Sequence, residues 1–145
     1  MLKAAGLGAV LMTASITPAL AADTVAEAPK PAIMSDLASH SLLLDVASAG
    51  DRLVAVGSRG HIVYSDDQGA SWTQAASPVR QLLTAVYFAD ANNGWAVGHD
   101  GVILHSSDAG ASWELQYRDP ALDEAADPDG PGLLERPLMD VWFRD

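Results

Sequence analysis

One stretch of the sequence occurs twice without a gap, and this internal repeat constrains the fold more than any other feature. Residues 54–72, VAVGSRGHIVYSDDQGASW, align with residues 95–113, WAVGHDGVILHSSDAGASW, at an offset of 41 residues. Shorter matches precede each copy: Leu43 to Val46, Leu83 to Asp90, and again Leu138 to Asp145. A period of this size marks a supersecondary unit that buries its apolar faces by stacking on its neighbours, as in solenoids and propellers.

Each unit reads as four short strands. In the second, Leu83 to Ala89 is rich in β-branched and aromatic residues, Asn92-Asn93-Gly94 is a turn, and Trp95 to Val97 is a strand. Gly98-His99-Asp100-Gly101 is a tight turn, and Val102 to Ser106 and Ser112 to Tyr117 complete the set. No helical period runs through residues 22–145. The expected fold class is therefore all-β: a partial β-propeller of two four-stranded antiparallel blades, about 42–76 and 82–117, plus the first strand of a third at 138–145. A propeller closes as a ring of typically 4–8 blades. The sequence is thus expected to be part of a longer or split propeller, with an open strand edge that invites pairing.

The turn between the third and fourth strands of each unit carries the sharpest motif. Ser65, Asp67, Gly69, Ser71 and Trp72 recur as Ser106, Asp108, Gly110, Ser112 and Trp113, which is the Asp-box pattern S-x-D-x-G-x-[ST]-W. A short Asp side chain accepts hydrogen bonds from N–H groups within its own turn, and Gly supplies a positive φ. The Trp covers the hairpin with a large apolar face. These carboxylates are expected to be scaffold rather than catalysts or metal ligands.

Both flanks of the array have their own character. Lys3, the uncharged run Ala4 to Ile16, Pro18 and the small-x-small triplet Ala19-Leu20-Ala21 make residues 1–21 a candidate signal peptide, cleaved after Ala21. The apolar run is too short for a spanning helix, which needs about 20 residues. Export is thus expected, without a membrane span after cleavage. Residues 22–40, rich in Ala and Pro, read as a flexible leader. Residues 118–137, between the second unit and the third, carry Asp119, Asp123, Glu124, Asp127, Asp129 and Glu135 among four prolines and read as a solvated acidic insertion.

Charge and composition exclude several functions. The chain has 8 Lys+Arg against 19 Asp+Glu, a net charge of −11, so it repels phosphate backbones and nucleic acid is not an expected partner. Cysteine is absent, which removes disulfides, thiolate metal sites and a cysteine nucleophile. The acidic insertion lacks the D-x-D-x-D-G spacing of a calcium loop. His40, His61, His99 and His105 show no ligand spacing and read as lone surface histidines. No metal and no cofactor are expected.

The wider string A-V-G-x-x-G-x-I-x-x-S-x-D-x-G-x-x-W, preceded by L-x-x-V-x-F-x-D-x-x-x-G-W, resembles the photosystem II stability/assembly factor family. The resemblance spans about Leu42 to Asp145. It implies an exported, non-catalytic β-propeller in the periplasm, or in the thylakoid lumen of a photosynthetic cell, that binds a protein partner such as a membrane-complex subunit. Photosynthetic members of that family are thought to meet their partner with a basic patch.

Strand order places the candidate partner face. The turns after the second strand of each unit share one end with the interblade links, and the Asp-boxes take the other. Ser58, Arg59, His99 and Asp100 are therefore the candidate partner residues, with Asp123, Glu124, Asp127 and Asp129 of the insertion beside them. The alternative is a sialidase-like glycoside hydrolase whose catalytic residues lie in further blades. Arg52, Arg59, Arg80, Arg118, Arg136 and Arg144 show no arginine-cluster motif, and no carboxylate pair is singled out at a glycosidase separation.

Overall fold

The computed structural model describes residues 29–118 and 137–143. The candidate signal peptide, the first part of the leader and residues 119–136 lie outside this range. Eight strands form two separate four-stranded sheets, each an antiparallel meander in sequence order. The first blade comprises β1 (Leu43–Ala49), β2 (Arg52–Gly57), β3 (Ile62–Ser65) and β4 (Thr73–Gln74). The second comprises β5 (Leu83–Phe88), β6 (Gly94–Gly98), β7 (Ile103–Ser106) and β8 (Glu114–Tyr117). The only helical pieces among the described residues are three 3-10 turns, each three residues long. The all-β, partial-propeller reading of the sequence is what the chain adopts.

The repeat extends to the hydrogen-bond register. Asp45 pairs with Val56 and Ala85 with Val97, and both first strands slip register at the same place, between Leu43 and Asp45 and between Leu83 and Ala85. Two glycines make the second strand's exit possible. A Cβ on Gly57 would lie 2.1 Å from the Leu42 carbonyl oxygen, and one on Gly98 the same distance from that of Leu82. The chain comes this close because the N–H of Ser58 donates to Leu42 (2.8 Å) and that of His99 to Leu82 (2.9 Å). Each blade is thereby stitched to the link that enters it.

Strand alternation gives every blade two faces, and the core lies between the two blades. Val54, Val56 and Ile62 of the first blade pack with Val86, Phe88, Ala96, Leu104 and Trp113 of the second. Complete burial of one such aliphatic side chain is worth about 1.5–3 kcal/mol, so this interface joins the blades into one body. Position decides burial more than residue type. Val86 is 5% exposed against the first blade, whereas its repeat equivalent Val46, with no blade before it among the described residues, is 56% exposed.

The outer face of the first blade is partly covered by the leader. Ala38 is buried against Ala55 and Val63, with Leu43 and Trp72 at its margin. Further up the leader, Gln74 donates through Nε2 to the Ile33 carbonyl (3.0 Å) and accepts at Oε1 from the Ser35 N–H (2.7 Å). The N–H of Ala32 donates to Ser77 (3.0 Å), and Arg80 Nε donates to Pro31 (2.6 Å). The flexible leader expected over 22–40 is thus a docked segment from Pro31 onward. Its polar backbone finds partners that a pattern of Ala and Pro does not reveal.

At the other flank, residues 138–143 lie against the second blade where a third would begin. The Leu138 N–H donates to Gly98 (3.0 Å), and Thr84 Oγ1 donates to the Leu138 carbonyl. Phe143 packs on Trp95 and Tyr87, with ring centroids 4.3 and 5.8 Å apart. The segment is not paired in a β-ladder within the described residues. A blade's first strand is defined by its bond to the second, and no second strand of this blade is described.

Candidate functional site

The two ends of the blades differ in chemistry. At one end lie the Asp-boxes. Ser65 Oγ donates to Asp67 Oδ1 (2.7 Å) while accepting from the Gly69 N–H (2.7 Å). Ser71 gives its N–H to Asp67 Oδ1 (2.7 Å) and its hydroxyl to Oδ2 (2.6 Å). The second box repeats this set: Ser106 and Ser112 donate to Asp108, and Gly110 donates to Ser106, over 2.5–2.9 Å. Not only the glycines but also Gln68 and Ala109, one residue before them, adopt positive φ, at 59° and 58°. The box is therefore a two-residue left-handed turn clamped by its own serines.

Each carboxylate accepts three of these bonds. The hydroxyl and N–H of Ser71, followed by the Ser65 hydroxyl, hold Asp67 down at about 2. Burial pushes Asp108 upward, but the hydroxyl and N–H of Ser112 with the Ser106 hydroxyl outweigh it and the net shift is downward. A carboxylate with these partners is held in its ionised form. The two Trp residues part company. Trp113 is buried, donates through Nε1 to Gly110 (3.0 Å) and meets Phe88 edge-on at 6.0 Å. Trp72 is half-buried on the outer face.

The opposite end holds the turns Ser58–Gly60 and His99–Gly101, in which Arg59 and Asp100 adopt φ of 58° and 59°. Asp100 is tied to the interblade link, accepting from Gln81 Nε2 at 3.2 Å. Beside the first turn, Ile33, Ser35, Arg59, His61 and Arg80 line a groove of about 350 Å³. An adjoining cavity of about 410 Å³ extends from Ser35, Arg59 and His61 to Leu37, His40 and Ser58. Arg59 and Arg80, which both line the groove, are exposed.

His61 anchors this corner. It is 6% exposed, which corrects the reading of it as a surface histidine: the turn folds it beneath the leader. Its Nδ1 lies 3.0 Å from Ser41 Oγ, and the Ser41 hydroxyl donates to the Ala38 carbonyl (2.6 Å). Ser41 therefore accepts from Nδ1–H. Burial, reinforced by the charge of Arg59, lowers the pKa of His61 against a hydrogen bond to the backbone of Ile33 that favours the charged form.

Of the partner residues expected from sequence, Ser58 and Arg59 border this groove and cavity. His99 and Asp100 share the same end on the second blade but do not line it. Asp123, Glu124, Asp127 and Asp129 lie outside the described residues. Sequence reading missed Arg80, His61, Ile33 and Ser35. Arg80 sits in an interblade link, Ile33 and Ser35 belong to a leader that does not repeat, and His61 lies within the repeat but aligns with Val102 in the second copy, so the period that located the turns is silent about them. Among the described residues, no group of three or more His, Asp or Glu side chains is gathered to hold a metal, and no helix is long and apolar enough to cross a membrane.

A solved structure of YCF48 bound to a D1 peptide is similar, with 27% identity and a TM-score of 0.49 over 54% of this chain and 27% of that one. This chain thus spans about a quarter of that relative's length. No curated protein matches it. The family model for the photosynthesis system II assembly factor YCF48 matches residues 24–127, which takes in both blades and the groove. On that match the chain belongs to the YCF48 family of photosystem II assembly factors.

Proposed function

We propose that this protein is an exported, non-catalytic accessory factor that grips an acidic segment of a protein partner at the Arg59–Arg80 end of the first blade. The carrying observation is the convergence of Arg59 and Arg80 on one groove in a chain of net charge −11. Two guanidiniums on one rim, with the long-range field against them, select a carboxylate-bearing ligand that makes close contact. Family membership supports the partner's class, a subunit of a membrane complex under assembly. The Asp-box carboxylates, each accepting three hydrogen bonds from serines of its own turn, support a scaffold role for the opposite end.

Affinity purification of the tagged full chain from native envelopes tests this reading. A membrane-complex subunit is expected to co-purify and to be lost from the Arg59→Glu/Arg80→Glu variant. Equal recovery by wild type and variant would refute the groove as the site. Export is checked separately, by fractionation and by sequencing for an N-terminus at Ala22.

A further inference from the structure

The partner groove is built by two parts of the chain that the repeat does not relate. Arg59, His61 and Arg80 come from the first blade and the link after it, whereas Ile33 and Ser35 come from the leader. The leader is held there at fixed points. Both ends of the Gln74 side-chain amide bracket residues 33–35 as a neighbouring strand would, at 3.0 and 2.7 Å. Pro31 and Ala32 are pinned by Arg80 Nε and the Ser77 carbonyl, and Ala38 is only 1% exposed beneath the same segment. A wall fixed by backbone bonds on both sides of Ile33 presents that side chain in one place. Ile33 is 61% exposed although it borders the groove, so its apolar surface is unspent.

We infer that residues 31–41 are a wall of the binding site, and that Ile33 selects an apolar side chain adjacent to the carboxylate gripped by Arg59 and Arg80. The inference rests on the groove being the partner site, and it adds a specificity to it. The ligand is a peptide strand in which acidic and aliphatic residues are neighbours. The guanidiniums supply the charge recognition and Ile33 the choice of neighbour. The leader thereby has a recognition role, beyond linking a targeting segment to the blades.

Two synthetic peptides separate these contributions: capped (Glu-Leu)4 and capped (Glu-Ser)4, titrated calorimetrically into the full chain at low salt. The Leu peptide is expected to bind about tenfold more tightly, the lower end of what apolar pocket contacts discriminate. Ile33→Ser is expected to reduce that preference to near unity, and Ile33→Val to retain most of it. Because the side chain is exposed, thermal melts of these variants should match wild type, so a change in preference is not a folding effect. A preference that persists in Ile33→Ser, or is absent from wild type, overturns the inference while leaving the groove reading intact. If neither peptide binds, or if Arg59→Ala/Arg80→Ala binds both as well as wild type, the groove reading itself falls.

Discussion

Asp45 Oδ2, on the first strand of the first blade, accepts a 2.8 Å hydrogen bond from the backbone N–H of Val86 on the first strand of the second. Its other oxygen accepts from the N–H of Val46 at 2.9 Å. Val46 and Val86 are repeat equivalents, so one carboxylate serves the same backbone position in two successive blades. At the equivalent of Asp45 the second blade has Ala85, and the N–H of Val86 depends on its neighbour.

Asp45→Ala is therefore expected to destabilise the chain by about 1–3 kcal/mol, the cost of leaving a buried N–H without an acceptor. Asp45→Asn, which keeps an acceptor oxygen, should cost less. Urea unfolding of the three proteins measures both, and an unchanged midpoint in Asp45→Ala would show that the interblade bond contributes nothing.

Gly98→Ala tests the close approach at the exit of the second strand. Gly98 has φ of −171°, an extended backbone open to any residue, so no conformational penalty attaches to the substitution. The cost is the clash of the new Cβ with the Leu82 carbonyl oxygen, a backbone atom that moves only with the link. A loss of about 1–3 kcal/mol is expected from such overpacking, read as a lower denaturation midpoint.

Much of this architecture was legible in the sequence because it repeats. The offset between Val54 and Trp95 marked the blades, and the Ser-Asp-Gly-Ser spacing marked turns whose hydrogen bonds close locally, between residues two to four apart. What was not legible depends on contacts across long sequence separations. Gln74 bonding Ile33, Arg80 bonding Pro31 and His61 meeting Ser41 each join the blades or the link between them to the non-repeating segment before the first strand. Composition alone makes that leader look unstructured, since Ala and Pro declare no partner. The proposed groove was half visible for the same reason: Arg59 lies in a repeated turn, whereas Arg80 and Ile33 do not.

The Asp-boxes give the chain an acid limit. Asp67 is held at about 2 by the hydrogen bonds of Ser71 and Ser65. A carboxylate with a depressed folded pKa stabilises the fold above its unfolded value, near 3.9, and that contribution is lost as pH falls toward the folded value. Thermal midpoints should therefore decline between about pH 4 and 2. In Asp67→Asn the decline should be shallower, because the amide does not titrate. Identical pH profiles for the two proteins would dissociate this carboxylate from acid unfolding.

His61 sets a second pH dependence, nearer neutrality, and it falls on the leader. Its pKa is lowered by burial and by Arg59, so below about 6.5 the unfolded chain takes up a proton that the folded site resists. Stability is then lost as pH falls from that value toward the lower folded one. When the proton does enter, a second positive charge faces Arg59 beneath the segment 31–41. The expected result is that hydrogen exchange at the Ser41 N–H, which donates to Ala38 at 3.2 Å, accelerates on going from pH 7.5 to 5 after correction for intrinsic rates. His61→Asn, a side chain that can donate to Ser41 without titrating, should abolish that acceleration. Exchange at the N–H of Leu104, in the core between the blades, should show no comparable change. Equal acceleration at both sites would mean that the pH effect is global and that His61 does not hold the leader.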